Sequence, residues 1–245
     1  MLKAALIFMI VGVCSTGLAT ASEPFEKDVI KTAAGDLEIT FIGHGSLLLK
    51  FGGKIIHVDP FSKLADYAKL PKADLVFLTH EHQDHLDPVA LQHVTSAKTA
   101  VVLTAKCAEK VPGGIIMNNG DVRMVEGIKV EAVPAYNIVQ KRDNGQPYHP
   151  KGVGNGYVLT FADKRIYIAG DTENVPEMSH LKLIDIAFLP MNLPYTMTPE
   201  MVADAARSFK PKVLYPYHYG ETDPARIVAL LKESRDIEVR IRRMK

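Results

Sequence analysis

The sequence is poor in cysteine, which limits the ways in which the fold can be cross-linked. Only Cys14 and Cys107 occur among the 245 residues, and there is no tryptophan. Cys14 lies in an N-terminal segment with the features of a cleaved leader. The mature chain would then keep one cysteine and could form no internal disulfide. Cys107 falls in a predicted helix over Thr104–Val111 and is expected to be a small core residue.

The chain also has no excess of charge of either sign. It carries 29 lysines and arginines against 28 acidic residues, for a net charge of +1, and the basic residues form no stripe. A nucleic-acid partner is therefore not expected. The hydrophobic content of 47% and the charged content of 23% are typical of a soluble globular protein. The length is sufficient for a large α/β domain with a substantial core.

Long hydrophobic runs are missing except at the N terminus, where the run Ala4–Val13 follows a single lysine. This run is too short to span a bilayer as a mature helix. Ala19-Thr20-Ala21 then offers an A-x-A cleavage site before Ser22. The pattern predicts a secretory signal peptide at residues 1–21. The protein would then be periplasmic or secreted, with no stable membrane insertion after cleavage.

A lipid anchor on Cys14 is the alternative to cleavage before Ser22. The preceding Val11-Gly12-Val13 lacks the small residue normally expected just before such a cysteine. Beyond the leader, no low-complexity segment or long linker interrupts residues 36–245. A single domain is therefore predicted over residues 22–245.

Strands are predicted wherever short runs are rich in β-branched or aromatic residues. Helices are predicted where a capping residue precedes proline, as at Asp87-Pro88, Thr198-Pro199 and Asp223-Pro224. Strands dominate and helices are interspersed singly, which favours an α/β protein with two sheets covered by outer helices. The predicted strands are Leu37–Ile42, Ser46–Phe51, Lys54–Val58, Leu75–Thr79, Thr99–Leu103, Asp121–Val125, Ile128–Val133, Gly156–Phe161, Arg165–Ala169, Ile184–Leu189, Lys212–Tyr215 and Ile237–Ile241.

A cluster of potential metal ligands follows the apolar run Leu75–Leu78 and reads His80-Glu81-His82-Gln83-Asp84-His85. The spacing of His80 and His82 suits two imidazoles on one ion, and Asp84 and His85 would then point to a neighbouring ion. Imidazole nitrogen and carboxylate oxygen are ligands that favour Zn²⁺, with Fe or Mn as alternatives.

The segment Tyr136–Gly156 shows no clear periodicity and is rich in Asn, Gly, Pro and charge. Loops of this length in compact domains are usually functional or disordered. Because this one contains His149, a functional role is favoured.

The pattern H-x-H-x-D-H resembles the metallo-β-lactamase superfamily, and further landmarks of that family follow in the same order. They are Gly43-His44-Gly45-Ser46 with Val58-Asp59-Pro60, then Ile168–Thr172, then Tyr215–Gly220. The resemblance implies an αββα sandwich of two mixed β-sheets flanked by helices, with metals at one edge. Within the superfamily, the chain is most similar to the branch of lactonases and N-acylphosphatidylethanolamine phospholipase D.

The resemblance also implies two divalent ions and a ligand set. The first ion would take three histidines, including His80 and His82, and the second would take Asp84, His85 and His218. Asp171 would bridge the two ions. The third histidine of the first ion is not at the usual place, where Tyr136-Asn137 stands instead. His149 is the favoured candidate because it is the only histidine between His93 and Asp171, and Asn137 or water is the alternative.

Other polar residues are given supporting roles. His44 is expected to be catalytic or to face the substrate, and Asp59 is expected to brace the His80–His85 loop by hydrogen bonding. Tyrosines and an asparagine in nearby loops could donate to an oxyanion, and the candidates are Tyr136, Asn192, Tyr195, Tyr217 and Tyr219. The remaining histidines are predicted to lie on strand or helix surfaces, and these are His57, His93 and His180.

The favoured function is a metal-dependent hydrolase in which a hydroxide between two ions attacks a small-molecule substrate. Asp84 would orient this nucleophile. The bond would be ester-like, in a lactone or a phosphodiester. Hydrolysis of β-lactams is less expected, since the well-known secreted β-lactamases carry cysteine where Asp171 stands. An iron-dependent oxidoreductase acting on sulfur compounds and a non-catalytic metal-binding protein are the alternatives.

Overall fold

A computed structural model describes residues 25–245. The predicted leader, its cleavage before Ser22 and the alternative anchor at Cys14 lie outside the described residues and stay predictions. Among the described residues, no helix combines the length and the apolar character needed to cross a membrane.

The described residues form two seven-stranded sheets, with their strands in sequential order. The first sheet contains β1 (Glu26–Thr32), β2 (Gly35–Gly43), β3 (Ser46–Phe51), β4 (Lys54–Val58), β5 (Leu75–Phe77), β6 (Ala100–Leu103) and β7 (Ile115–Ile116). The second contains β8 (Val122–Val125), β9 (Ile128–Ala135), β10 (Gly154–Phe161), β11 (Lys164–Ile168), β12 (Ile186–Pro190), β13 (Val213–Tyr217) and β14 (Glu238–Val239).

Four α-helices connect these strands: α1 (Pro88–Val94), α2 (Ala105–Ala108), α3 (Pro199–Phe209) and α4 (Ala225–Leu230). Two 3₁₀ helices span Tyr67–Lys69 and Pro176–His180. The cap-proline signature is confirmed for α1 and α3, where the Asp87 and Thr198 side chains accept hydrogen bonds from backbone N–H groups of the first turn. In α4 the cap is Pro224 itself, one residue later than the signature predicts.

Each sheet changes from antiparallel to parallel pairing part-way across. Strands β1 to β4 and β8 to β11 pair antiparallel, whereas β4 to β7 and β11 to β14 pair parallel. Parallel strands end at a common edge, and loops at that edge are where α/β proteins place ligand sites. Asp59, His80, Asp171 and His218 all follow such strands, directly or within three residues.

The main core lies between the two sheets. Along β3, Leu47 and Leu49 belong to this core, whereas Leu48 points to a second core under α1 and α2. Aromatic rings meet across the sheets, with centroids 5.2 Å apart for Phe77 and Tyr157. On the outer face of the second sheet, Tyr167 meets Phe209 of α3 at 5.8 Å. The expected αββα sandwich is therefore confirmed.

Strand β1 was not predicted, because its pattern of polarity is inverted. The half-buried positions include Glu26 and Asp28, whereas Val29 is 54% exposed. Asp28 accepts a hydrogen bond from Arg242 Nη2 at 2.7 Å, near the other end of the chain. Alternation of apolar residues cannot reveal a strand whose inward side chain is stabilised by a remote arginine.

The prediction that His57 lies on a surface is wrong. His57 sits on β4 and is buried, with Nε2 donating to Pro71 O at 3.1 Å. Burial lowers the pKa of this imidazole to about 4, although the hydrogen bond to Pro71 opposes that change. His57 is therefore neutral in the folded chain near pH 7, whereas in the unfolded chain it would take a proton near pH 6.5.

His57 should make the fold sensitive to acid. The pKa of His57 is lower in the folded protein than in the unfolded chain. The free energy of unfolding is therefore highest above about pH 6.5, and it falls as the pH is lowered from about 6.5 towards 4. Between pH 7 and pH 5 this one group should remove about 2 kcal/mol of unfolding free energy. Urea unfolding of metal-free wild type and His57→Gln at both pH values measures the difference. Equal pH dependence in the two proteins would contradict the expectation.

Candidate metal centre

The His80–His85 loop is anchored by a buried carboxylate, as the sequence predicts. Asp59 Oδ1 accepts from Thr79 N at 2.8 Å, and Oδ2 accepts from Thr79 Oγ1 at 2.6 Å and from His85 Nδ1 at 2.7 Å. This leaves His85 Nε2 turned away from Asp59 and towards the carboxylate of Asp171, at 3.4 Å. The bond to Nδ1 fixes which imidazole nitrogen can bind a metal.

Three residues around the site hold the left-handed backbone conformation that non-glycine residues rarely adopt. The φ angles are 51° at His44, 42° at Asp59 and 47° at His218. His218 N donates to His44 O at 3.0 Å, which ties the two histidines together through their backbones. Strained conformations of this kind concentrate at functional sites, where the surrounding structure holds them.

The fold brings together all seven predicted ligands. Their potential ligand atoms fall into three overlapping groups. Within each group, these atoms all lie within 4.8 Å of one another. One group is His80, His82 and His149, a second is His80, His85 and Asp171, and the third is His44, Asp84, His85 and His218. The structure thus adds His44, which was predicted to lie outside the ligand set. Its Nε2 lies 3.0 Å from Asp84 Oδ2.

Asp171 lies at the centre of the cluster, between the group that contains His149 and the group that contains His218. Its Oδ2 lies 3.3 Å from His149 Nε2, 3.4 Å from His218 Nε2 and 3.9 Å from His80 Nε2. The carboxylate is buried. This is the placement expected of the residue that would bridge two ions.

His149 and Asn137 act together, although the sequence presents them as alternatives. Asn137 Oδ1 accepts from His149 N at 2.8 Å and from His149 Nδ1 at 2.7 Å. His149 Nε2 therefore faces the cluster, 3.2 Å from His82 Nδ1. Asn137 orients the imidazole and belongs to none of the three groups. That His149 binds an ion stays a prediction.

The sequence analysis missed Glu173, which holds the start of the His149 loop. This buried carboxylate accepts hydrogen bonds from Ile138 N and Val139 N, both at 2.8 Å, and from Gln140 N at 2.6 Å. It also accepts from Asn137 Nδ2 at 3.2 Å. The available signal was an acidic residue just after the Ile168–Thr172 motif, but its partners lie more than thirty residues earlier in the chain.

The charges of the cluster depend on one another. Burial would lower the pKa of His85, but the carboxylates of Asp171 and Asp59 raise it to about 10. Burial opposes ionisation of Asp84, yet the imidazoles of His218 and His44 hold its pKa below the ordinary value. For His80 and His82, burial and the neighbouring imidazoles lower the pKa. Divalent metals bind neutral imidazoles beside ionised carboxylates, so metal binding at this site would displace a proton from His85.

Several buried polar atoms at the centre of the site have no hydrogen-bond partner among the described residues. They are His80 Nε2, His85 Nε2, Asp171 Oδ1 and both ring nitrogens of His218. A buried polar group left unpaired costs about 1–3 kcal/mol. Metal coordination would satisfy His80 Nε2, His85 Nε2, Asp171 Oδ1 and one nitrogen of His218. Nitrogen with carboxylate oxygen is a donor set that suits zinc. The residues present therefore fit divalent metal ions.

Gly45 leaves room for the ring of His85, so an added methyl group should displace it. A Cβ at Gly45 would lie 2.8 Å from His85 Cε1, and that imidazole is fully buried. Gly45→Ala should therefore weaken metal binding at least about tenfold, the lower end of the effect of disturbed ligand orientation. Competition with a chromophoric chelator measures this loss of affinity.

Gly114→Ala is the matched control, because its Cβ would overpack against Leu103. It should lower stability and leave metal affinity unchanged, and an equal loss of affinity in both variants would refute the role of Gly45.

An open cleft of about 440 Å³ lies over the cluster. Asn192 and Tyr195 line it, as predicted, whereas Tyr136, Tyr217 and Tyr219 do not. The residues that line it are His44, His82, Gln83, Asp84, Arg142, Tyr148, His149, Asp171, Asn192, Tyr195 and His218. This volume is in the range of sites for small molecules.

Known proteins match most of the chain. A family model described as the beta-lactamase superfamily domain matches residues 38–218. A metal-dependent hydrolase of Pelotomaculum thermopropionicum is 32% identical over 220 residues, which cover 84% of this chain and 96% of that protein. The crystal structure of a Parabacteroides distasonis protein designated a metal-dependent hydrolase is 51% identical, with a TM-score of 0.86. The match covers 90% of this chain and all of that one. A metallo hydrolase of Ignicoccus hospitalis, 24% identical with a TM-score of 0.70, covers 85% and 96% of the two chains and shows the fold alone.

Proposed function

Because the chain belongs to the beta-lactamase superfamily and to its metal-dependent hydrolases, we propose that it cleaves an ester-like bond of a small molecule with two divalent ions. Zinc is the favoured metal, with Mn or Fe as alternatives. Lactones and phosphodiesters are the first substrate classes to test. The observation that carries the proposal is a set of buried nitrogen and oxygen atoms that could bind metal, have no hydrogen-bond partner among the described residues and lie beneath an open cleft.

Two sets of residues would hold the ions. His80, His82 and His149 would hold the first, and their nitrogens already converge. Asp84, His85 and His218, which form a group together with His44, would hold the other ion. Asp171 would be shared. When bound, divalent ions supply Lewis acidity, which activates water and stabilises developing negative charge.

Asp84 is the group proposed to orient the attacking water. Its side chain is 38% exposed and lines the cleft, whereas that of Asp171 is buried. His44 Nε2 donates to Asp84 Oδ2, which leaves Oδ1 to accept a hydrogen bond from water. His44 would thus act by positioning Asp84, and its ring lies against the tilted ring of His218 with centroids 3.6 Å apart.

Elemental analysis and a substrate panel test the proposal. Zinc-loaded protein should hold about two ions per chain and hydrolyse a lactone or a phosphodiester. Asp84→Asn should lower kcat/KM by about 100-fold or more, the typical effect of removing a general acid–base group. His93→Gln, at an exposed histidine of α1, is the matched control. Zinc-loaded, folded protein that is inactive on lactones, phosphodiesters, thioesters and β-lactams would refute hydrolysis. Oxygen uptake with persulfides by iron-loaded protein would favour the oxidoreductase instead.

His149→Ala should weaken one ion and spare the other. The reason is that His149 lies in the group of His80 and His82, whereas Asp84, His85 and His218 lie with His44 in a group that shares no member with it. Asn137→Ala should weaken the same ion by about 10–100-fold, because it frees the imidazole to turn. Metal content after dialysis, with competition against a chelator, measures both effects. His180→Ala, at an exposed histidine, should keep both ions. Two ions of unchanged affinity in His149→Ala would show that the assignment is wrong.

A further inference from the structure

The cleft above the cluster has one permanent positive charge. Arg142 is the only lysine or arginine among the residues that line it. No carboxylate within the described chain lies in ion-pair distance of this guanidinium, although most other arginines of residues 25–245 have such a partner. The two acidic residues of the cleft, Asp84 and Asp171, lie among the histidines instead. Arg142 is exposed and therefore offers whatever enters a cation that has no carboxylate partner among the described residues.

The backbone around Arg142 is folded into a small hairpin. Lys141 pairs with Pro147 as an isolated bridge. Arg142 N donates to Gln146 O at 2.8 Å, and Gly145 N donates to Arg142 O at 2.8 Å. These bonds fix where the arginine side chain leaves the loop.

Aromatic contacts then fix the guanidinium itself. Its central carbon lies over the ring of Tyr148, 4.9 Å from the centroid, and Nη2 donates to Tyr148 O at 3.4 Å. Tyr148 in turn meets Tyr195 edge to face at 5.1 Å. A guanidinium that lies over an aromatic ring keeps N–H groups available in its own plane, where they can donate to an anion.

The same contacts tie the arginine to the candidate metal centre. Tyr148 is next to His149, and Tyr195 O accepts a hydrogen bond from Asn137 Nδ2 at 2.9 Å. Asn137 is the residue that orients His149. A substrate group held by Arg142 would therefore lie in a cleft whose walls are fixed relative to the reacting centre.

We propose that Arg142, stacked on Tyr148, forms an anion subsite, so that the substrate is a small molecule carrying a carboxylate or a phosphate beside its ester-like bond. The planar fork of arginine matches both anions with two parallel hydrogen bonds. Tyr148 and Tyr195 present ring surface to the body of the substrate. This inference rests on the proposed function for the identity of the bond cleaved.

Binding of three matched small anions tests the subsite independently of any hydrolysis by the protein. Butyrate carries one carboxylate, succinate carries a second at the far end, and 3-phosphonopropanoate carries a phosphonate there. Calorimetry on zinc-loaded wild type should show succinate or 3-phosphonopropanoate binding at least about tenfold more tightly than butyrate, as expected for one charge-assisted bidentate pair. The tighter of the two identifies the anion.

Variants of the hairpin decide whether Arg142 causes the preference for dianions over butyrate. Arg142→Gln should abolish the preference for the dianions, and Arg142→Lys should keep part of it. Lys141→Gln removes the neighbouring exposed charge of the same hairpin and should retain the full preference. Equal affinity of wild type for all three probes, or a preference that survives in Arg142→Gln, would overturn the proposal.

Aryl esters of the same three acids add a kinetic test. The ratio of kcat/KM for the anionic ester to that for the neutral ester should fall at least about tenfold in Arg142→Gln. Hydrolysis with no such preference would reject the anion subsite alone. Tight binding of the dianions, without turnover of these esters or of the lactones, phosphodiesters, thioesters and β-lactams above, would instead reject the proposed hydrolysis and keep the subsite.

Discussion

Replacing Asp171 by asparagine is expected to lower kcat/KM by about 1,000-fold or more, beyond the ~10–100-fold typical of residues that only support a metal ligand. The carboxylate lies within 3.9 Å of the imidazoles of His80, His85, His149 and His218. The amide keeps the shape of the side chain but removes the charge that both proposed ions would share. Metal content should fall together with activity.

Steady-state kinetics and elemental analysis measure this effect. Asp204→Asn is the matched control, because Asp204 is an exposed acidic residue of α3 whose partner is Arg207. It should leave both quantities unchanged. If Asp171→Asn kept two ions and wild-type kcat/KM, Asp171 would have no place in the reaction.

Removing the metal is expected to lower the thermal midpoint of unfolding by about 10 °C or more. A ligand present at 1,000 times its Kd adds about 4 kcal/mol of unfolding free energy per site. For a chain of this size each kcal/mol shifts Tm by about 2–4 °C. The physical reason is that Nε2 of His80, Nε2 of His85 and both ring nitrogens of His218 lie buried without hydrogen-bond partners among the described residues, and metal ions would coordinate one nitrogen of each ring.

Calorimetry with chelator, followed by added zinc, measures the shift and its reversal. His149→Ala should show a smaller shift, since it would lose one of the two proposed sites. An identical Tm with and without chelator, for protein shown to have lost its metal, would contradict the idea that metal binding contributes to folding.

The two sheets explain why the site forms at this place. Strand β5 carries the His80–His85 loop, whereas β11 and β13 lead into Asp171 and His218. All three belong to the parallel part of their sheets, so their carboxyl ends meet across the sandwich. Asp59, at the end of β4, supplies the buried hydrogen bonds that hold the first loop.

The sequence alone determined the features that depend on neighbouring residues. The spacing within His80–His85 predicted the central part of the cluster, and capping residues before proline predicted α1 and α3. Runs of β-branched residues predicted most strands, because alternation of side chains follows from backbone geometry. The resemblance to a family then supplied Asp171, His218 and the sandwich, which local patterns could not have given.

Only the tertiary structure decided the contacts that join distant segments. Asn137 and His149 looked like alternatives until their hydrogen bonds showed one orienting the other. His44 joins Asp84 across 40 residues of sequence, and Glu173 reaches back to residues 137–140. Strand β1 stayed hidden because its inward Asp28 is stabilised by Arg242. In each case a remote partner satisfies a buried or half-buried polar side chain, and the packing of the two sheets selects that partner.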